Sequence, residues 1–269
     1  MRAYKKILFF VTPYLLPKAK ANLFIIGGQK CGTSSLFRTL STHKHINPSL
    51  FKEAHFFEKN YSLGSLWYDG LFFSSWFKRN VKFNMESSPN YVMYPKALKR
   101  IQGYNQNAKI IFITRDRVDR AYSQYRHNKR FRPHEVKYDF ESSLINEEKI
   151  LRANPFKKGS KKYCKYRDKF NYIERSSYSA QLETLYSVFN RENILILNFE
   201  KLFDESLCDS EFVKIGNFLN LNISDLKKKK AMINTTVKNE LNDEKRNLFN
   251  EKYFLEDATI CKNKFGLTI

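Results

Sequence analysis

Nine residues, Gly27-Gly28-Gln29-Lys30-Cys31-Gly32-Thr33-Ser34-Ser35, stand between an apolar run and an amphipathic segment, and they constrain the chain more than any other feature. The run before them, Asn22-Leu23-Phe24-Ile25-Ile26, reads as a buried parallel strand entering a glycine turn. After them Leu36, Phe37 and Leu40 share one face of a helix, with Thr33 or Ser34 as its cap and Pro48 forbidding continuation. A glycine loop at a helix start gathers backbone N–H groups and the positive end of the helix dipole, which suits a phosphate or similar anion. The spacing comes close to G-x-x-x-x-G-K-[ST], yet Thr33 stands where a nucleotide triphosphatase carries its lysine. The lysine, Lys30, is in mid-loop instead. An ATPase or GTPase needs that lysine at the helix start to reach the terminal phosphates, so the loop argues against both.

The strand and helix pattern recurs. Lys109 to Thr114 is a second buried strand, followed by Arg115-Asp116 and a helical segment from Val118 to Lys129. Ile194 to Leu197 is a third, preceded by a helix on which Tyr178, Leu182, Leu185, Tyr186 and Phe189 share a face. Strands alternating with helices predict an α/β fold, a parallel sheet with helices on both faces. Further helices are expected at Glu211–Leu219 and Glu244–Lys262. The 269 residues divide into an N-terminal arm, 1–21, and one domain, 22–269.

At 42% hydrophobic and 16% aromatic the chain is too apolar to be disordered. Its 48 Lys and Arg against 27 Asp and Glu give a net charge of +21, which attracts polyanions without naming one. The lysine-rich stretch Asn154–Lys169 and the run Lys227–Lys230 read as solvated surface. Ile7 to Leu16 is apolar but interrupted by Pro13, too short for the ~20 residues of a membrane-spanning helix, and no A-x-A-like site follows it. The arm is expected to rest on the domain or, peripherally, on a membrane surface. Cys31, Cys164, Cys208 and Cys261 are scattered without a CxxC pair, so neither a zinc site nor a disulfide framework is expected, and reduced thiols in a cytoplasm fit best.

Several segments in order resemble the carbohydrate sulfotransferases, in particular the heparan sulfate type. FIIGGQKCGTSSL, Phe24 to Leu36, is similar to their 5′-phosphosulfate loop. Lys52-Glu53-Ala54-His55-Phe56-Phe57 resembles KExHFF, and Tyr61 to Tyr68, with Gly64 and Trp67, resembles Y-x-x-G-x-x-WY. Glu86-Ser87-Ser88-Pro89-Asn90-Tyr91 resembles E-x-[ST]-P-x-Y, and Arg115 to Tyr125 resembles the 3′-phosphate motif RDPVDRAYSxY. Tyr178-Ser179-Ala180-Gln181-Leu182 is similar to GxYxxQL, and Lys264-Phe265-Gly266 to an ending of such enzymes. The likeness runs from residue 22 to 266. Arg117 replaces the usual proline after Arg-Asp, and the 269 residues contain no cysteine-bearing C-terminal hairpin of the animal enzymes, so the arrangement resembles short bacterial or viral members.

The resemblance implies sulfuryl transfer from 3′-phosphoadenosine 5′-phosphosulfate to a hydroxyl or amine of a carbohydrate, with no metal. Alignment and charge stabilisation are what such an in-line displacement asks of a protein. Lys30 would balance the charge on the leaving bisphosphate, and Lys30, Cys31, Gly32, Thr33, Ser34 and Ser35 would hold the 5′ end. Glu53 is the expected base, with His55 as the alternative. Glu86, Pro89 and Tyr91 are expected on the acceptor side, Glu86 as an orienter of the substrate or of a lysine. Arg115 and Ser123 would bind the 3′-phosphate, and Tyr178 the adenine or ribose, unless it is plain core. Two other classes compete: a P-loop nucleotide kinase, and a non-enzymatic basic module for glycan or nucleic acid. The order of the glycine loop, Glu53 and Arg115 favours the enzyme and a carbohydrate partner over nucleic acid. A cytoplasmic location follows from the short type, with the Golgi lumen as the alternative; the motifs carry no information on oligomeric state.

Overall fold

Five strands, β1 Leu23–Ile25, β2 Ile46–Pro48, β3 Phe83–Ser87, β4 Lys109–Thr114 and β5 Ile194–Asn198, form one parallel sheet in the order β2-β3-β1-β4-β5. The structure is a computed structural model and describes residues 10–153, 170–222, 226 and 241–269. The helices are α1 Thr12–Leu15, α2 Thr33–Leu40, α3 Gly64–Gly70, α4 Pro95–Tyr104, α5 Arg117–Phe131, α6 Phe140–Ala153, α7 Ser179–Val188, α8 Phe199–Phe203, α9 Cys208–Leu219, α10 Asp243–Tyr253 and α11 Leu255–Phe265. The α/β fold with a parallel sheet is thus as the alternating pattern requires. The expected loop Asn154–Lys169, the lysines 227–230, Cys164 and residues 1–9 of the arm lie outside the described residues.

Contacts gather the chain into two compact units, Met1–Thr114 with Glu183–Thr235, and Arg115–Leu182 with Thr236–Ile269. The first contains the sheet. Leu23, Ile25, Ile111, Ile113 and Leu197 of the strands pack with Leu36, Leu40, Phe212 and Ile215 of α2 and α9. An aromatic cluster of Phe24, Phe56, Phe57, Tyr68 and Tyr104 packs edge-on and stacked, with Phe56 and Tyr68 4.4 Å apart and nearly parallel.

The second unit is built on α5. Val118, Ala121, Tyr122 and Tyr125 meet Phe140, Leu144, Tyr172, Phe249 and Phe254. Arg120 is fully buried there, donating Nε–H to Ser176 Oγ at 2.5 Å and Nη2–H to Tyr172 O at 2.6 Å. Buried Glu147 accepts from the N–H groups of Tyr172, Ile173 and Glu174, at 2.6, 2.9 and 3.2 Å.

Three local expectations need correction. Neither Thr33 nor Ser34 caps α2: Gly32 occupies the cap position at φ +77°, with no side-chain cap. The single helix expected at Glu244–Lys262 is two, α10 and α11, broken at Phe254, whose ring is drawn into the core at the cost of helical dihedrals. Strands β2 and β3 were not expected because their sequences, INP and FNMES, lack a continuous apolar run. Their polar groups are satisfied inside the fold: Asn47 donates to Phe72 O at 3.1 Å and to Asn84 Oδ1 at 3.0 Å.

Candidate active site

In the first unit the loop after β1 is held by the sheet before it leaves. Ile26 N–H donates to Ile111 O at 3.0 Å and Gly28 N–H to Ile113 O at 3.1 Å. A Cβ on Gly27 would collide with the Ile113 backbone, so only glycine lets the chain lie this close. Cys31 N–H then closes onto Gly28 O at 3.1 Å, and the backbone turns through Lys30 at φ +75° and Gly32 at φ +77° into α2. The Cys31 side chain is buried in the core, so this residue serves the loop through its backbone. The first-turn amides of Thr33 and Ser34 have no acceptor within their own helix. With the helix dipole and the half-buried Lys30, they form a cradle whose chemistry fits a phosphosulfate.

The second cluster of this unit is the segment Lys52 to Glu58, tied to the end of β3. Glu53 N–H donates to Ser87 O at 3.3 Å, and His55 N–H donates to Ser88 Oγ at 3.2 Å. Since Ile25 of β1 is in register with Ser87 of β3, this segment and the glycine loop emerge at the same carboxyl edge of the sheet. Lys52 Nζ is 3.1 Å from Glu53 Oε1, and His55 Nε2 is 3.3 Å from Glu53 Oε2. On its other side His55 Nδ1 is 2.5 Å from Oε1 of Glu58, whose side chain is fully buried. Lys30, Glu53 and His55 are three of the five non-glycine residues with positive φ among the described residues. Such strain collects where surrounding structure imposes it, as at functional sites.

Burial alone would raise the Glu53 pKa, but the hydrogen bond from His55 and the charge of Lys52 outweigh it and bring the carboxyl down to about 2. Burial alone would lower His55; its hydrogen bonds to Glu53 and Glu58 prevail and push it up to about 9. Near neutral pH the pair is therefore carboxylate and imidazolium.

Beneath this segment is Glu86, fully buried. Tyr68 and Tyr91 donate their hydroxyls to its Oε2 at 2.8 and 2.9 Å, and Ser88 donates to its Oε1. Burial pushes Glu86 up to about 7 against the pull of those donors. Tyr91 Oη also accepts from Phe56 N–H at 2.9 Å. Glu86, Pro89 and Tyr91, the residues expected on the acceptor side, are all buried; Tyr91 holds the Glu53 segment through Phe56 N–H, and Glu86 through Ser88, which accepts from His55 N–H.

In the second unit, Arg115 is the first residue after β4 and is nearly buried. The Tyr178 hydroxyl accepts from Arg115 N–H at 3.1 Å and donates to Arg115 O at 2.9 Å. Tyr178 is 0% exposed and clamps Arg115 from the core, the second of the two places its sequence position offers. Asp116 caps α5 by accepting from Asp119 N–H at 2.9 Å. Arg117, standing where the family has proline, pairs through Nε with Asp257 Oδ2 at 2.8 Å and donates Nη1–H to Ile269 O at 2.8 Å. Asp257 also accepts from the N–H groups of Tyr178 and Ser179, at 2.9 and 2.8 Å. Arg117 and Asp257 thus form a buried ion pair that ties the start of α5 to α11. Ser123 lies in the second turn of α5, half-buried.

Sequence reasoning missed Glu58, Tyr68, Ser88 and Asp257. Glu58 had a readable signal, a carboxylate three residues after a histidine at helical spacing; Tyr68 and Ser88 stand inside motifs that give them no role of their own, and Asp257 acts across the fold.

A glycine anion cradle beside a carboxylate and imidazolium, on the carboxyl edge of a parallel sheet, is the equipment of a group transferase using an anionic donor. The chain belongs to the sulfotransferase domain family, which matches residues 20–263. Among solved structures it is similar to a sulfotransferase from Alicyclobacillus acidocaldarius, with a TM-score of 0.71 and 25% identity over 93% of this chain and 98% of that one. Among curated proteins it is similar to heparan sulfate glucosamine 3-O-sulfotransferase 5 of Mus musculus, 29% identical over 77% of this chain and 54% of that protein. It is also 37% identical to the bifunctional heparan sulfate N-deacetylase/N-sulfotransferase 3 of Homo sapiens over 46% of this chain and 14% of that protein. The chain thus spans about half or less of the length of these curated relatives.

Proposed function

We propose that the protein transfers a sulfuryl group from 3′-phosphoadenosine 5′-phosphosulfate to a hydroxyl or amine of a glucosamine-containing polysaccharide of the heparan sulfate kind. The observation that carries this reading is the strained pair Glu53 and His55 beside a glycine loop that presents Lys30. The names of the relatives supply the acceptor class.

In this reading Gly32, Thr33, Ser34 and Ser35 hold the 5′-phosphosulfate through amides and hydroxyls, and Arg115 and Ser123 bind the 3′-phosphate. The acceptor oxygen or nitrogen attacks sulfur while the bond from sulfur to the bridging phosphate oxygen breaks, releasing adenosine 3′,5′-bisphosphate. Lys30 balances the charge that grows on the bridging oxygen. The acceptor's proton passes to Glu53. Against the effect of burial, Glu53 and Glu58 push the His55 pKa up, which favours Glu53 over His55 as the base near neutral pH and gives His55 the part of orienting the carboxylate. Glu86, with Tyr68 and Tyr91, keeps the segment in place.

The test is ligand-induced stabilisation, since a ligand that binds only the native state raises the melting temperature. Adenosine 3′,5′-bisphosphate should raise it more than ATP with Mg²⁺. A larger shift with ATP would return the chain to the nucleotide kinases.

A further inference from the structure

The loop between α3 and β3 ends in an exposed tip, Trp76-Phe77-Lys78-Arg79-Asn80, reversed at Asn80 with φ +60°. Trp76 is 67% and Phe77 77% exposed. The tip is joined to the N-terminal arm. Trp76 Nε1–H donates to Lys18 O at 3.0 Å, Asn84 Nδ2–H to Lys20 O at 3.0 Å, and Tyr14 Oη–H to Leu63 O at 2.5 Å. A Cβ on Gly70 would collide with Pro13 O, so α1 lies directly on α3. This places exposed Leu15, at 81%, and exposed Leu66 on elements that adjoin the tip.

The charges of this region have one sign. Residues 10–22 and 71–84 contain Lys18, Lys20, Lys78, Arg79 and Lys82 and no Asp or Glu. Asp69, the first acidic residue before this stretch, is buried and accepts from Tyr104 Oη at 2.5 Å. Large apolar side chains left in water at a protruding tip mark an interaction surface. Tryptophan and phenylalanine flanked by lysine and arginine, with no acid, match the interface of an anionic bilayer, where rings seat at the headgroup level and cations meet lipid phosphates and carboxylates. A second copy would bring like charges together.

We propose that the Trp76-Phe77-Lys78-Arg79 tip and the adjoining residues 10–20 form a peripheral docking surface for an anionic lipid bilayer. The proposal is independent of the transfer chemistry. It assigns the main contact to the tip, with the arm as its support.

The test is sedimentation of the full chain with large vesicles of phosphatidylcholine alone and of phosphatidylcholine with phosphatidylserine. The protein should sediment with the anionic vesicles and much less with the neutral ones. Of the two tryptophans, Trp67 is fully buried, so a blue shift of emission on the anionic vesicles reports Trp76. Trp76→Ala with Phe77→Ala should weaken vesicle binding by about tenfold or more while leaving bisphosphate binding unchanged. Lys78→Glu with Arg79→Glu should do the same. Lys96→Glu with Lys99→Glu, an equal charge change at exposed positions on α4, should leave it nearly unchanged. Three results would overturn the proposal: equal loss in the α4 variant, which means attraction by net charge alone; unchanged emission on vesicles; or a wild-type dimer that the Trp76 and Phe77 variant dissociates, with no vesicle binding.

Discussion

Nε2 of His55 stands 3.3 Å from Oε2 of Glu53, and each side chain holds the other in its charged form. The consequences for pH follow from the two directions. His55 is raised from 6.5 to about 9, so its stabilising share is complete below about 6.5 and is lost as pH rises through about 9. Glu53 is lowered from 4.5 to about 2, so its share is complete above about 4.5 and is lost as pH falls through about 2. Following the His55 ring protons by NMR should give a midpoint well above that of free histidine. Glu53→Gln should bring it down, because one of the two carboxylates that hold the proton is gone. An ordinary midpoint in the wild type would break the pairing on which the proposed roles of both residues rest.

Glu86 behaves in the opposite sense to Glu53. Its folded value, about 7, exceeds the ordinary 4.5, so the native state binds more protons than the unfolded chain in between, and stability falls as pH rises from about 4.5 through about 7. Glu86→Gln keeps acceptors for Tyr68 and Tyr91 and should flatten that dependence without a large loss near neutral pH. Glu86→Ala strands three buried hydroxyl donors and should cost at least the about 1–3 kcal/mol of one unsatisfied group. Chemical unfolding at about pH 5 and about pH 8 separates these outcomes, and an unchanged pH slope in Glu86→Gln would show that Glu86 is not the titrating group.

Gly27 and Gly32 should differ in how their substitutions can be repaired. Alanine at Gly27 meets the Ile113 backbone, which has nowhere to go, so Gly27→Ala should unfold the protein or nearly so. Alanine at Gly32 meets the Phe203 ring and costs about 1–2 kcal/mol more for its left-handed backbone. Phe203→Leu should therefore recover part of the loss in Gly32→Ala and none in Gly27→Ala, as a double-mutant cycle on melting temperatures would measure. Equal rescue of both would mean that the ring does not press on the loop.

The parts of the fold visible in the sequence were those where one local pattern suffices. β1, β4 and β5 are apolar runs, and the glycine loop follows β1 at once, so the anion cradle was legible in the order of the residues alone. β2 and β3 were hidden because Asn47 donates to Asn84 across the strands, a pairing no local window contains. The site was legible as motifs but not as directions. Glu86 is turned inward by a tyrosine 18 residues earlier and another 5 residues later, and Tyr178 is turned toward Arg115, 63 residues away. Arg117 looked like the loss of a proline, because its partner Asp257 is 140 residues further along.

Sulfuryl transfer through Lys30 and Glu53 is tested by single-turnover transfer of radiolabelled sulfate from 3′-phosphoadenosine 5′-phosphosulfate to desulfated heparan-type oligosaccharides. The wild type should label the glycan and release adenosine 3′,5′-bisphosphate in equal amount. Glu53→Gln should lose on the order of 10²-fold or more in rate with bisphosphate affinity nearly unchanged, and Lys30→Ala should lose rate through weaker stabilisation of the leaving group. Labelling by Glu53→Gln at the wild-type rate, or no labelled glycan from the wild type while the bisphosphate still binds, would contradict the account.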